Sequence, residues 1–442
     1  MTFSLFESSI YRALFFDAEV AALFEDCAVI QSMIKVESTL AKVQGELGII
    51  PKESADVIVK VLAEHRIEAI SLSAATGQDG VPVPALIANL RKSLPEPHQS
   101  YLHWGATSQD IMDTSLVLRL ADVCQILESR TKTLLVKLAK LASQNTHQPI
   151  AARTRSQIAT PTSFGAIVVS WGAPILAHLQ MLEFIKPRLL KISLAGAVGN
   201  SAAFGQQSER LREEMASALN LNNGCVSWHT DRTALAEFSS LMTRVCASLG
   251  KLAEDCILAN QSEVAELGFS QSGASSTMPQ KVNPVLAETI VSLFRISQSL
   301  DTLMNNAVLH RQQRDGSAWM QEWFALPQLV MSTAKSMQLA TDLLDVMEVN
   351  RKNMLDRVDK GSQLAYAEAA SFELSREMPR AISQTKIKQL CSEAIASGIA
   401  LSSLLEKAYP QVEWTTVFSA KGQMGDSLVQ VNDFVTRVNA LS

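Results

Sequence analysis

Seven apolar residues constrain this chain more than any motif: Leu116, Leu120, Val123, Leu127, Leu134, Leu138 and Leu141 step by 4, 3, 4, 7, 4 and 3. Side chains three and four positions apart share one face of a helix, so the stripe predicts a helix of about eight turns near the possible caps Asp110 and Asp113. The same spacing runs through Phe238, Leu241, Val245, Leu249, Leu252 and Cys256, and through Leu293, Ile296, Leu300 and Leu303 after a start at Pro284. A further segment, 156–182, carries no charge for 27 residues. Its Gln157, Thr160, Pro161, Ser170, Pro174, His178 and Gln180 argue against a membrane span and for the centre of a large helical bundle.

Helix breakers are scarce: 19 Gly and 14 Pro stand among 442 residues, below the usual shares of roughly 7% and 5%. The expectation is an all-α protein in three regions: an N-terminal helical domain at 1–105, a central long-helix bundle domain at 106–350 and a C-terminal helical domain at 351–442. Stripes this extensive on long helices call for helices from other copies, so a homo-oligomer is expected. The formal net charge of −5 lacks the basic field that phosphate backbones demand, which argues against nucleic acid. Six cysteines lie far apart with no CxxC, a pattern of reduced thiols rather than disulfides or a zinc site. Glu7 interrupts the N-terminal segment, which has no basic n-region, so a cytoplasmic protein is expected.

Polar residues gather where a packed bundle would not choose them. The segment 268–288, GFSQSGASSTMPQKVNPVLAE, combines Gly268, Gly273 and a run of serines with Pro279 and Pro284 at its exit. Small hydroxyl residues, a lysine and backbone N–H groups beside a helix start suit an anion such as a carboxylate. Composition alone favours a surface loop with an N-cap. The seven histidines show no ligand spacing such as HxxxH, so no metal is expected.

The ordered string decides. SSTMPQKVNP resembles the signature loop SSxMPxKxNP of the fumarase/aspartase superfamily. YLHWGATSQDIMDTSLVLRL resembles its second region, ARTRSQIATPTSFG its third, and LAGAVGN the turn that follows. Within the superfamily, GVPVPALIANLR, HWGATSQDIMDT, SWHTDRTALAEF and RDGSAWMQEWFALPQ look most like the 3-carboxy-cis,cis-muconate cycloisomerase branch. Adenylosuccinate lyase is the rival, but its nucleotide-gripping Arg-Tyr would fall at Leu14 and Phe15, and its His-Asp pair near Gly80 and Val81.

The resemblance implies an enzyme, an intramolecular lyase that closes 3-carboxy-cis,cis-muconate to 4-carboxymuconolactone in aromatic catabolism without a cofactor. The alternative is another superfamily lyase releasing fumarate. Carried over by position, Ser275 is the proton-transfer residue, with His103 and Lys281 also catalytic. Thr107, Ser108, Arg155, Gln157, Ser276, Met278, Asn283 and Arg314 are the residues that bind the tricarboxylate substrate. His229, in WHTDR, is a competing candidate to His103. The superfamily's third region usually reads Thr-His, the His being a general acid, whereas Thr154 is followed here by Arg155. A carboxylate leaves or attacks without a proton donor, because its ordinary pKa is near 4, and an arginine fork can hold one instead. Gln280 and Gln313 are two further departures. A helix of thirty residues spans about 45 Å, so polar regions at opposite ends of such rods are expected to meet between subunits, and the resemblance implies that the assembly is a homotetramer whose active sites each draw on three subunits.

Overall fold

A computed structural model describes residues 4–270, 273–274, 277–278 and 281–441. The chain is 68% helical, with 17 α-helices among the described residues. The first stripe lies on one unbroken helix, Ser108–Gln144, of 37 residues. Its Val117, Leu120, Val123, Leu127, Leu134 and Leu138 are completely buried, and each such side chain stabilises the fold by about 2 kcal/mol. Four more long helices follow: Phe164–Leu189, Thr233–Ala259, Val285–Asn306 and Gly316–Val346. All six residues of the second stripe are buried in Thr233–Ala259. In the third stripe Leu293 and Leu300 are buried, whereas Ile296 and Leu303 face outward.

Asp110 and Asp113 do not cap the first helix from outside. The helix opens at Ser108, and Asp110, in its first turn, accepts the backbone N–H of Thr107 at 3.0 Å, the reciprocal half of a capping box. Asp113 turns inward to a buried arginine.

Two compact units divide the chain. One comprises Met1–Arg130, His178–Ala247 and Ser292–Ser336. In it the short helices Asp26–Glu46, Lys52–Glu64, Val83–Ser93 and Ser208–Leu219 bury Leu40, Ile58, Leu86 and Leu211 in one core. Arg232 is 1% exposed and grips two carboxylates, Asp113 at 2.7 and 3.0 Å and Glu322 at 2.6 and 2.7 Å. Burial alone would lower the guanidinium pKa; the two carboxylates outweigh it and raise it. This triad pins the segment before Thr233–Ala259 to the first helix and to Gly316–Val346.

The other unit comprises Thr131–Ala177, Ser248–Val291 and Met337–Ser442. Trp171 donates its indole N–H to Asp255 at 2.7 Å, joining two of the long helices. Gly172 leaves room for the Phe434 ring of the Ser427–Asn439 helix, where any Cβ would collide. Three two-stranded antiparallel ribbons occur among the described residues: Pro149–Thr154 with Gln157–Ser163, Leu267–Phe269 with Met347–Val349, and Gly273–Ala274 with Val282–Asn283.

The uncharged segment is therefore part strand and part helix, the helix starting at Phe164. By length and composition alone that helix could cross a membrane, yet Trp171, Ile175, Leu176, Leu179, Leu182 and Ile185 are buried in the chain. It is not covered all round, since Met181 and Phe184 are exposed.

Candidate active site

The HWGATSQD string forms a tight loop leading into the first long helix. His103 sits in it with φ 64°, a left-handed conformation that costs a non-glycine residue about 1 kcal/mol or more. Its Nδ1 lies 2.6 Å from Glu37 Oε1, and because a carboxylate only accepts, Nδ1 carries the proton. Burial would lower the His103 pKa, but the charge and hydrogen bond of Glu37, helped by Asp110 and opposed by Arg91, raise it above 6.5.

Asp110 organises the rest of this cluster. One carboxylate oxygen accepts the N–H of Thr107 at 3.0 Å and of Gly196 at 2.9 Å; the other accepts from Ala195 N–H and His229 Nε2, both at 2.8 Å. The completely buried carboxylate thus staples the loop, the LAGAVGN turn and the WHTDR segment together. Gly196 is at φ 72°, and its missing Cβ lets the turn approach the Gly105 carbonyl. Gln109 donates to the His229 carbonyl at 2.9 Å and accepts from Arg314 Nε at 2.8 Å. Arg314 also donates through Nη2 to the Ala197 carbonyl at 3.2 Å. His103, Thr107, Ser108, His229 and Arg314 therefore belong to one region of one unit.

Arg155, Gln157, Met278, Lys281 and Asn283 lie in the other unit. Thr154 pairs with Gln157, so Arg155 and Ser156 form a two-residue hairpin turn, both at positive φ, 50° and 65°. Asn and Gly are the usual residues there, so an arginine at its tip is held against local preference. Arg155 and Gln157 are exposed. The signature loop is spanned by the ribbon that pairs Gly273 with Asn283. Gly273 is required because a Cβ would meet the Val285 side chain at 2.6 Å. Lys281 is exposed, and its N–H closes a turn onto the Met278 carbonyl at 3.0 Å. Ser275 and Ser276, with Gln280, lie outside the described residues.

Arg155, Lys281 and Arg314 have no carboxylate partner among the described residues, unlike Arg130, Arg153 and Arg232. Residues that sequence reasoning passed over are Glu37, Gln109 and Asp110. The last two sit inside the recognised string; Glu37 is 66 positions from His103, and no local pattern points to it. Among the described residues no group of three His, Cys, Asp or Glu side chains is arranged to hold a metal ion.

A profile of a lyase family matches residues 15–296. The 3-carboxy-cis,cis-muconate cycloisomerase of Acinetobacter baylyi is 30% identical over 408 residues, 90% of either chain. The N-acetyl-S-(2-succino)cysteine lyase of Enterococcus italicus is 32% identical over 372 residues, 83% of this chain and 81% of that one. The crystal structure of the 3-carboxy-cis,cis-muconate lactonizing enzyme of Pseudomonas putida matches with a TM-score of 0.90 at 28% identity, covering 98% of this chain and 99% of the other.

Proposed function

Because the chain belongs to the fumarase/aspartase superfamily of lyases, we propose that it closes 3-carboxy-cis,cis-muconate to 4-carboxymuconolactone. The observation that carries this reading is the similarity over 90% of the chain to a 3-carboxy-cis,cis-muconate cycloisomerase, and Arg155, Lys281 and Arg314 are three cations suited to its substrate. A tricarboxylate needs such charges, and a resident acid would compete with it. In the reaction a substrate carboxylate oxygen forms the new C–O bond. The displaced π pair moves to the carbon beside another carboxylate as an enediolate-like anion, and a proton is delivered to that carbon. Lys281 and Asn283 are suited to stabilise the anion, and Ser275 to carry the proton. The attacking carboxylate needs no general acid, so Arg155 in the place of the usual histidine does not impair this chemistry, as it would impair release of an amine.

We also take the working form to be a cytoplasmic homotetramer with shared sites; the exposed Met181, Phe184, Ile296 and Leu303 on long helices support an assembly of copies. Similarity to the succinocysteine lyase favours one second reading, elimination of fumarate from a succinyl thioether, whose thiolate leaves with modest help from an acid. The deciding experiment gives purified protein 3-carboxy-cis,cis-muconate and follows its diene absorbance without added metal or cofactor. Disappearance of the diene with lactone formation is expected. A persistent diene, together with fumarate released from N-acetyl-S-(2-succino)cysteine, would replace the first reading with the second.

A further inference from the structure

Glu37 stands on the inner face of the Asp26–Glu46 helix and is completely buried. Its Oε1 holds His103 Nδ1 at 2.6 Å, and its Oε2 is buried without a hydrogen-bond partner among the described residues. A buried carboxylate costs several kcal/mol unless a cation balances it. Two turns further along the same helix face, Gln44 donates to the Trp104 carbonyl at 2.8 Å, so one helix grips two successive residues of the loop. Gly105, next in the chain, packs its backbone where a Cβ would strike the Phe204 ring at 2.6 Å, which fixes the loop from the other side. His103 keeps 17% of its side chain exposed. With Nδ1 committed to Glu37, Nε2 is the nitrogen left for a ligand.

We propose that Glu37 is a positioning residue that holds His103 as a charged Nε2–H donor to a substrate carboxylate. This inference rests on the carboxylate substrate proposed above and adds a directed N–H donor to the three cations, Glu37 balancing the charge of the imidazolium itself. It differs from a purely structural ion pair because the helix, loop and glycine constraints fix the ring and its tautomer, while the opposite nitrogen stays open. The groups that set its charge come from three helices: Glu37 and Asp110 favour the imidazolium, and Arg91 of Val83–Ser93 and burial oppose it. A histidine raised in this way is charged below its folded pKa and loses the charge as pH rises through it.

The test uses the full-length protein and two readouts. Diethyl pyrocarbonate acylates neutral imidazole only, so the extent of His103 modification against pH, read by peptide mass mapping, gives the titration midpoint without any need for turnover. The wild-type midpoint should lie above 6.5, and Glu37→Gln should move it down by about one unit or more, the usual size for a lost opposite charge at contact distance. In parallel, kcat/KM of Glu37→Gln on carboxymuconate should fall about tenfold more at pH 8 than at pH 6. In a His103→Asn background the Glu37 substitution should leave the pH profile unchanged. A wild-type midpoint at or below 6.5 overturns the proposal with no variant needed, as does a Glu37→Gln loss that is equal at both pH values. Shifted midpoints in a protein inert toward carboxymuconate would remove the assigned reaction and leave the Glu37–His103 pairing standing.

Discussion

Asp110→Asn is the sharpest perturbation of the site, because it exchanges one oxygen for an NH2 group and leaves the shape unchanged. The wild-type carboxylate receives four donors, two per oxygen. If the new NH2 faces Thr107 and Gly196, both backbone N–H groups lose their acceptor. If it faces Ala195 and His229, the imidazole can accept by moving its proton to Nδ1. That leaves Ala195 N–H orphaned and buries an Nδ1–H that has no partner among the described residues. Either orientation strands two donors that are buried or, at Thr107, partly buried, at about 1–3 kcal/mol each, and the remaining bonds lose charge assistance. A cost of about 3 kcal/mol or more follows, which is roughly a 10²-fold loss of amide protection where opening is local. Hydrogen exchange read by mass spectrometry on peptides covering 104–111 and 190–200 checks it, alongside kcat/KM. Protection within threefold of wild type with unaltered kcat/KM would refute the reasoning, since it would show that the staple neither holds the loop nor positions Thr107, Ser108 and Arg314.

Two further outcomes are expected. Ser275→Ala should lower kcat by roughly 10²- to 10⁴-fold with little change in substrate binding, measured by steady-state kinetics; near wild-type turnover in Ser275→Ala beside a dead Ser276→Ala would move the role to the neighbour. Co-refolding inactive Ser275→Ala with the weakened His103→Asn should raise activity above the sum of the parents, with up to about one fully intact site in four by random assortment, if a site takes the two residues from different subunits; recovery that never exceeds that sum in confirmed mixed oligomers would place both in one chain.

The long helices were legible because a 3.6-residue period is a local property: every residue of the 238–256 stripe is buried where the spacing puts it. The ribbon at 149–163 was not. Its turn is made by Arg155 and Ser156 in left-handed conformations, and neither residue advertises such a turn. The recognised string HWGATSQD located one cluster, yet its meaning came from tertiary partners. Asp110 reads as a cap in sequence and serves as a four-donor staple in space. Glu37 reads as one more helix-surface glutamate until His103 is folded onto it. Sequence patterns encode which face of a helix is apolar; they do not encode which distant acid a loop histidine will meet.

Arg153 and Arg155 make the separation of structural from functional charge testable on one hairpin. Two positions apart, they alternate in fate. Arg153 forms a two-point ion pair with the completely buried Glu266, both bonds at 2.8 Å. Arg155, at the turn, has no acid partner among the described residues and stands exposed. Removing the partner of a buried carboxylate leaves an uncompensated charge at a cost of about 3–5 kcal/mol. Arg153→Met should therefore lower the melting temperature by several degrees. Arg155→Met removes no internal pair, so the melting temperature should hold while KM for the tricarboxylate rises, because a bidentate substrate contact is gone. If Arg155→Met instead melts early with unchanged kcat/KM in the folded fraction, the turn arginine is structural and the substrate is held by other groups.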